Sequence, residues 1–137
     1  MKRETAIKYV NEIAKRIHSV NGVLATPSHD YQYVRISRVW VFGSVAKGSQ
    51  NPNDLDIFIE LKVIGRFNNN GYIDKRLSHQ HGYREIKKST DYALKWLTKG
   101  MKNVSRHVVG HDDVFNKLDC KILIYPRMDF LNMDKLS

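Results

Sequence analysis

Acidic residues are scarce in this chain. Of 137 residues, 14 are Asp or Glu against 23 Lys or Arg, a formal net charge of +9. That balance argues against cationic ligands, which call for acidic clefts, and favours polyanions such as nucleic acid or phosphate-rich molecules. Cysteine is scarcer still. Cys120 stands alone, so no internal disulfide can form, and a reducing, cytoplasmic setting is expected. No apolar run approaches the length of a bilayer span. The N-terminal stretch MKRETAIKYVNEIAKRI lacks the apolar centre of an export signal. A membrane is therefore not an expected partner. Internal repeats and low-complexity tracts are absent too.

What is present suits one globular domain, residues 1–137, with a single core. Hydrophobic residues make up 42% and charged residues 27% of the chain, an ordinary soluble balance. Apolar residues at Ala6, Ile7, Val10, Ile13, Ala14, Ile17 and Val20 predict a helix over 3–20, stopped by Asn21-Gly22. Glu4–Lys8 and Glu12–Arg16 are spaced to pair on its outer face. Residues 23–30 read as a loop. Residues 32–42, rich in Val, Ile, Tyr, Trp and Phe, predict a strand, and so do 55–61 and 118–125, the last ended by Pro126. Ser89 or Thr90 is placed to cap a helix reaching about Val104. Trp40 and Trp96 are expected in the core.

The charge is unevenly spread. Residues 62–110 hold eleven bases and only three acids. This segment reads as a basic insertion at about 62–112, either a well-solvated surface or a face for RNA or DNA. Tyr72 and Tyr83 within it are candidates for stacking on bases. His79, His81, His107 and His111, with Cys120, raise the question of zinc. His107 and His111 have helical ligand spacing, but Gly110 breaks it and no cysteine pair supports a site.

The most informative stretch is 41–60, VFGSVAKGSQNPNDLDIFIE. In a strand, Asp54 and Asp56 fall on one face, while Leu55, Ile57 and Ile59 fall on the other. Two like charges, about 6–7 Å apart by strand rise, repel unless a cation joins them, and hard cations such as Mg²⁺ favour such oxygen sites. Gly43 lets the backbone approach a ligand closely. Ser44 is placed to cap a short helix from Val45, offering N–H groups and a hydroxyl to phosphates. Lys47 could add a positive charge. Together these describe a site for a metal-bound nucleoside triphosphate. A P-loop does not fit, because GSVAKGS has Lys-Gly-Ser where Gly-Lys-Ser/Thr is required. An EF-hand lacks its continuation, and no G-x-S-x-G elbow marks Ser44 as a nucleophile. Taken alone, Asp54 could be a turn cap and Asp56 a solvent-facing strand residue; the preceding Gly-Ser favours the site.

The stretch resembles the DNA polymerase β-like nucleotidyltransferase superfamily: an apolar strand, Gly43-Ser44, a nine-residue spacer, then Asp54-Leu55-Asp56-Ile57. The resemblance implies an α/β palm-like core, a mixed sheet with helices mainly on one face. It implies a third carboxylate on a later strand. Asp119 in Lys117-Leu118-Asp119-Cys120 is the best candidate, ahead of Asp112 and Asp113. It further implies two Mg²⁺ ions, or Mn²⁺, held by Asp54, Asp56 and Asp119, with Gly43 and Ser44 on the β- and γ-phosphates of a nucleoside triphosphate, ATP among them. The implied product is a nucleotidylated acceptor hydroxyl plus pyrophosphate. Two other functions stay open: an inactive transferase scaffold that binds nucleic acid or regulates, and a transferase that needs a protein partner and modifies it. Many relatives carry a C-terminal helical domain that grips base or acceptor; about a dozen residues follow the third strand here, so base choice is expected to come from the core, the insertion or a partner.

Overall fold

The computed structural model describes residues 1–26, 32–67, 73–74, 83–109, 115, 118 and 120–129. The first helix, α1 (Arg3–Ser19), buries Ala6, Val10, Ile13, Ala14 and Ile17, the face its apolar spacing predicted. Arg16 Nε donates to Glu12 Oε1 at 3.2 Å on the other side. The helix stops where expected. Asn21 and Gly22 take positive φ, 53° and 77°, and the Gly22 N–H donates back to the Ile17 carbonyl at 3.0 Å, a left-handed C-terminal turn. A side chain at position 22 would meet the Tyr125 hydroxyl at 2.8 Å and the Ile36 carbonyl at 2.9 Å.

The chain then enters β1 (Val23–Ala25) rather than the expected loop. Three residues flanked by a turn and a proline are too few for period-two alternation to register. The next two strands form the spine of the sheet. β2 (Gln32–Phe42) and β3 (Leu55–Phe67) run antiparallel from Gln32 opposite Arg66 to Phe42 opposite Asp56. Between them lies a single helical turn, α2 (Gly43–Ala46). β3 continues six residues past the expected end.

Within the basic stretch at about 62–112, the described residues pair with the sheet and pack on it. β4 (Ile73–Asp74) extends the sheet beside the end of β3. α3 (Tyr83–Leu97) packs on β2, β3 and α1. β5 (Val104–Val108) pairs with β3 in parallel, Leu55 beside Val104 and Asp56 beside Ser105. The predicted helix from Ser89 to Val104 is corrected at both ends. Ser89 is buried inside α3 rather than capping it, and the helix closes at Leu97, where Thr98 Oγ1 bonds back to the Leu94 carbonyl at 3.0 Å. Val104 continues the helical spacing by coincidence, but Val104–Val108 pairs in parallel with β3 as a strand. The last strand, β6 (Lys121–Tyr125), starts three residues later than expected and runs antiparallel to β2.

The six strands make one mixed sheet among the described residues. At one end its order is β6-β2-β3-β5, and at the other β1-β2-β3-β4. Helices α1 and α3 cover one face, as expected for the palm-like architecture. Val39, Val41, Leu55, Ile57, Ile59 and Ile124 are fully buried there with Ile13, Ile17 and Leu97. Each such side chain contributes about 1.5–3 kcal/mol on burial, so this layer fixes the positions of the β2 and β3 ends. Trp96 packs against the same core, partly buried. Among the described residues no helix is long and apolar enough to cross a membrane.

Candidate active site

β2 ends and β3 begins at the same edge of the sheet, and that edge gathers the predicted residues. Phe42 stands opposite Asp56. Gly43 follows at φ 71°, backbone that glycine adopts freely and side-chain-bearing residues rarely. Space enforces the same choice, because a Cβ on Gly43 would lie 2.5 Å from Asp56 Oδ2. The Asp56 carboxylate thus rests against bare backbone at the start of α2.

α2 is held from three sides. Val45 and Ala46 are buried in the core. Arg3, the first residue of α1, donates from Nη1 to the Val45 carbonyl at 2.8 Å and to the Ser49 carbonyl at 3.3 Å, and its N–H donates to the Gln50 carbonyl at 3.0 Å. Cys120 Sγ approaches the Ala46 carbonyl at 3.6 Å. Ser44 does not cap a helix from Val45 as expected. The turn begins at Gly43, Phe42 sits at the cap position, and Ser44 lies half-buried within the turn. Glycine's positive φ lets the chain turn one residue early. Lys47 ends the turn, exposed, with its N–H on the Gly43 carbonyl at 3.1 Å.

Asp54 immediately precedes β3 and is exposed; Asp56 is half-buried. Leu55 and Ile57 are fully buried on the helix side, so the two carboxylates share the face away from the helices. Burial pushes the Asp56 carboxyl above the usual carboxylate value of 3.8, and the neighbouring charge of Asp54 pushes it further. His107 and a hydrogen bond with the Ser105 side chain pull the other way. The carboxylate pair is therefore a place where negative charge is penalised and a cation is favoured. Asp119 lies outside the described residues, as do Asp112 and Asp113. Among the described residues, no group of three or more His, Cys, Asp and Glu side chains could hold a metal.

Two further residues belong to this edge, and the sequence did not single out their role. Ser105 and His107 alternate on β5, on the same face as Asp56. Ser105 pairs with Asp56 in register and His107 with Phe58. His107 is exposed, its ring 5.4 Å from that of Phe42 and 5.2 Å from that of Phe58. His107 lies on a strand, so it does not take the helical spacing toward His111 that Gly110 already argued against. The stretch Val104-Ser105-Arg106-His107-Val108 has no clean period-two alternation, because Arg106 shares the face of the two valines, so no local signal marked either residue. His79, His81, His111 and Tyr72, and the side chain of Tyr83, lie outside the described residues.

The same face continues into aromatic packing. Trp40 and Phe58 are buried, but on the side away from the helices, where the Phe115 ring meets them at 4.6 and 5.4 Å. Lys121 Nζ caps this cluster 4.2 Å above the Phe115 ring and donates to the Phe115 carbonyl at 3.2 Å. An acidic edge thus adjoins an aromatic floor. Such an arrangement can hold a metal-bound phosphate group beside an apolar surface.

No known protein family and no curated protein sequence matches the chain. Among solved structures, the chain is similar to a "putative nucleotidyltransferase" from Sulfolobus solfataricus, at 18% identity and a TM-score of 0.44, over 90% of this chain and 86% of that one.

Proposed function

We propose that this protein is a metal-dependent nucleotidyltransferase that moves a nucleoside monophosphate from a nucleoside triphosphate to an acceptor hydroxyl. The observation that carries this reading is the junction of Gly43 and Asp56. A glycine turn suited to phosphates and a carboxylate suited to a cation are in contact, with no room for a Cβ between them, and Asp54 adds a second carboxylate on the same face. A lone acidic strand end or a lone glycine turn would not support it.

The residues fit a divalent cation. Asp56 is held where its ionised form is penalised by burial and by Asp54, and a cation between the two would relieve both effects. Asp54 and Asp56 would hold Mg²⁺ or Mn²⁺, with Asp119 as the third carboxylate and a second ion at it. The ions, when bound, would neutralise the triphosphate and polarise the reacting oxygens.

The chain's own groups have separate tasks. Gly43 presents backbone to the β- and γ-phosphates, and the Ser44 hydroxyl donates to them. Arg3 keeps that turn in place through the Val45 and Ser49 carbonyls. The Ser105 side chain orients the Asp56 carboxylate. Lys47, exposed at the end of the turn, adds charge toward the leaving pyrophosphate. In the transfer, the acceptor oxygen forms a bond to the α-phosphorus, the bond from that phosphorus to the α–β bridging oxygen breaks, pyrophosphate departs and the hydroxyl proton passes to water.

The test is calorimetric binding of the four ribonucleoside triphosphates with Mg²⁺, paired with transfer of label from the α-phosphate. Asp54→Asn and Asp56→Asn should each abolish transfer while circular dichroism stays native. Metal-dependent binding should vanish in the double variant. Full transfer in both single variants would overturn the assignment.

A further inference from the structure

The proposed reaction assigns groups to the phosphates of its triphosphate and none to the base. The aromatic residues beside the phosphate turn point to a place for one. Phe42 immediately precedes Gly43, and its ring lies 4.7 Å from that of Phe58 at an interplanar angle of 34°. The His107 ring completes the group, 5.4 Å from Phe42 and 5.2 Å from Phe58. Three neighbouring strands thus bring three rings into mutual contact, each within the range of offset or edge-to-face packing. Their exposure is graded. Phe58 is buried, Phe42 half-buried and His107 exposed. The imidazole is the ring presented to solvent, and the two phenyl rings support it.

Strand register sets where that ring stands relative to the carboxylates. Asp56 pairs with Phe42 on one side and Ser105 on the other, and Phe58 pairs likewise with Trp40 and His107. The His107 row is therefore two residues from the Asp56 row on the same face, about 6–7 Å by strand rise. A ribose spans such a gap. The two groups also sense each other, because the His107 charge pulls the Asp56 carboxyl down. The alternative directions across the face are occupied. Toward β6, the Phe115 ring packs on Trp40 and Phe58, with Lys121 Nζ above it. One row further along β3, Glu60 pairs with Arg38 at 3.2 Å. With the phosphates at Gly43 and the α-phosphate at Asp54 and Asp56, the sugar leads onto the open surface of Phe42 and His107. A flat heteroaromatic ring is the ligand chemistry that such a platform fits.

We propose that His107, supported by Phe42 and Phe58, stacks on the base of the nucleoside triphosphate and makes the site prefer purines to pyrimidines. The preference follows from area: a bicyclic base covers more of the platform, and stacking strength rather than hydrogen-bond readout then ranks the bases. The inference rests on the nucleotidyltransferase reading for the presence of a triphosphate, and it adds the residue that selects among triphosphates.

The experiment is titration calorimetry of the full chain with ATP, UTP and ribose triphosphate, each with Mg²⁺. Ribose triphosphate keeps the sugar and the phosphates and lacks only the base. Wild type should bind ATP about tenfold more tightly than ribose triphosphate, the scale of one base stacked on one side chain, with UTP between them. His107→Ala should remove that advantage for ATP, close the gap between ATP and UTP, and leave ribose triphosphate unchanged. His107→Phe should restore the advantage, since it keeps a ring and gives up the imidazole nitrogens and their charge. Equal weakening of ATP and ribose triphosphate by His107→Ala would mean that His107 acts through Asp56 or the fold, and would overturn the stacking role. A phenylalanine variant as weak as the alanine variant would overturn it as well, and UTP bound as tightly as ATP by wild type would overturn the purine preference. Wild type that binds ATP and ribose triphosphate equally well would overturn the base site and leave the transferase reading standing. Wild type that binds neither would overturn the transferase reading and the base site with it.

Discussion

The two faces of the β2–β3 pair are built from alternate residues of the same two strands, yet they have nothing in common chemically. Toward the helices stand Val39, Val41, Leu55, Ile57 and Ile59, all fully buried. On the other side stand Trp40, Phe42, Asp56 and Phe58, with Ser105 and His107 beside them on β5. The first face is aliphatic and closely packed. The second grades from buried aromatics to an acidic rim that disfavours its own charge. The first face provides stability by burial; on the second, burial and the neighbouring Asp54 push the Asp56 carboxyl up against the pull of His107 and Ser105, a penalty that a bound cation would relieve.

The largest expected effect breaks the first face. Ile57 directly follows Asp56 and points into the core, fully buried. Ile57→Ala should cost about 2–5 kcal/mol in denaturant unfolding, for lost transfer energy plus the cavity. Nucleotide binding per folded molecule should change little. A cost below about 1 kcal/mol, the scale of a surface substitution, would mean this face is not the core.

A smaller effect should come from the hinge between the faces. Gly43→Ala forces a Cβ into the left-handed region, at about 1–2 kcal/mol, and toward Asp56 Oδ2. The carboxylate must move, so nucleotide binding should suffer more than stability does. The stability cost should shrink in an Asp56→Ala background, because the collision partner is gone. Identical costs in both backgrounds would mean that Gly43 and Asp56 do not touch in solution.

How much of this was legible in sequence differs for the two faces. The aliphatic face could be read almost residue by residue, because period-two alternation and β-branching report burial directly; β2 fell on 32–42 as predicted. The acidic rim was legible through Asp54-Leu55-Asp56 and Gly43, since spacing within one strand fixes the face. What was hidden came from other strands. Ser105 and His107 reach Asp56 only through a parallel pairing, and no local pattern reports which strand lies beside which. α3 was placed six residues late because Ser89 looked like a cap, whereas tertiary packing buries it inside the helix. Asp119, named from its place before an apolar run, lies outside the described residues and stays a proposal.

The smallest expected effect has the opposite sign from the first two, and it sharpens the contrast most. A carboxyl whose folded pKa lies above its unfolded value binds its proton more tightly when folded. For Asp56, ionisation therefore costs stability: the cost is absent below about pH 3.8, grows as pH rises through the window above that value, and is complete above the folded pKa. Asp56→Asn carries a permanently neutral group of the same shape. In EDTA at neutral pH its melting temperature should equal or exceed that of wild type, and the gap should close on acidification toward pH 4 as the wild-type carboxyl takes up its proton. Mg²⁺ at neutral pH should raise the wild-type melting temperature and leave the variant unmoved, because only the former binds it by mass action. If wild type is the more stable protein in EDTA at pH 7, then the Ser105 hydrogen bond and the His107 charge outweigh burial and Asp54. The rim would then be a satisfied structural cluster with no need of a cation.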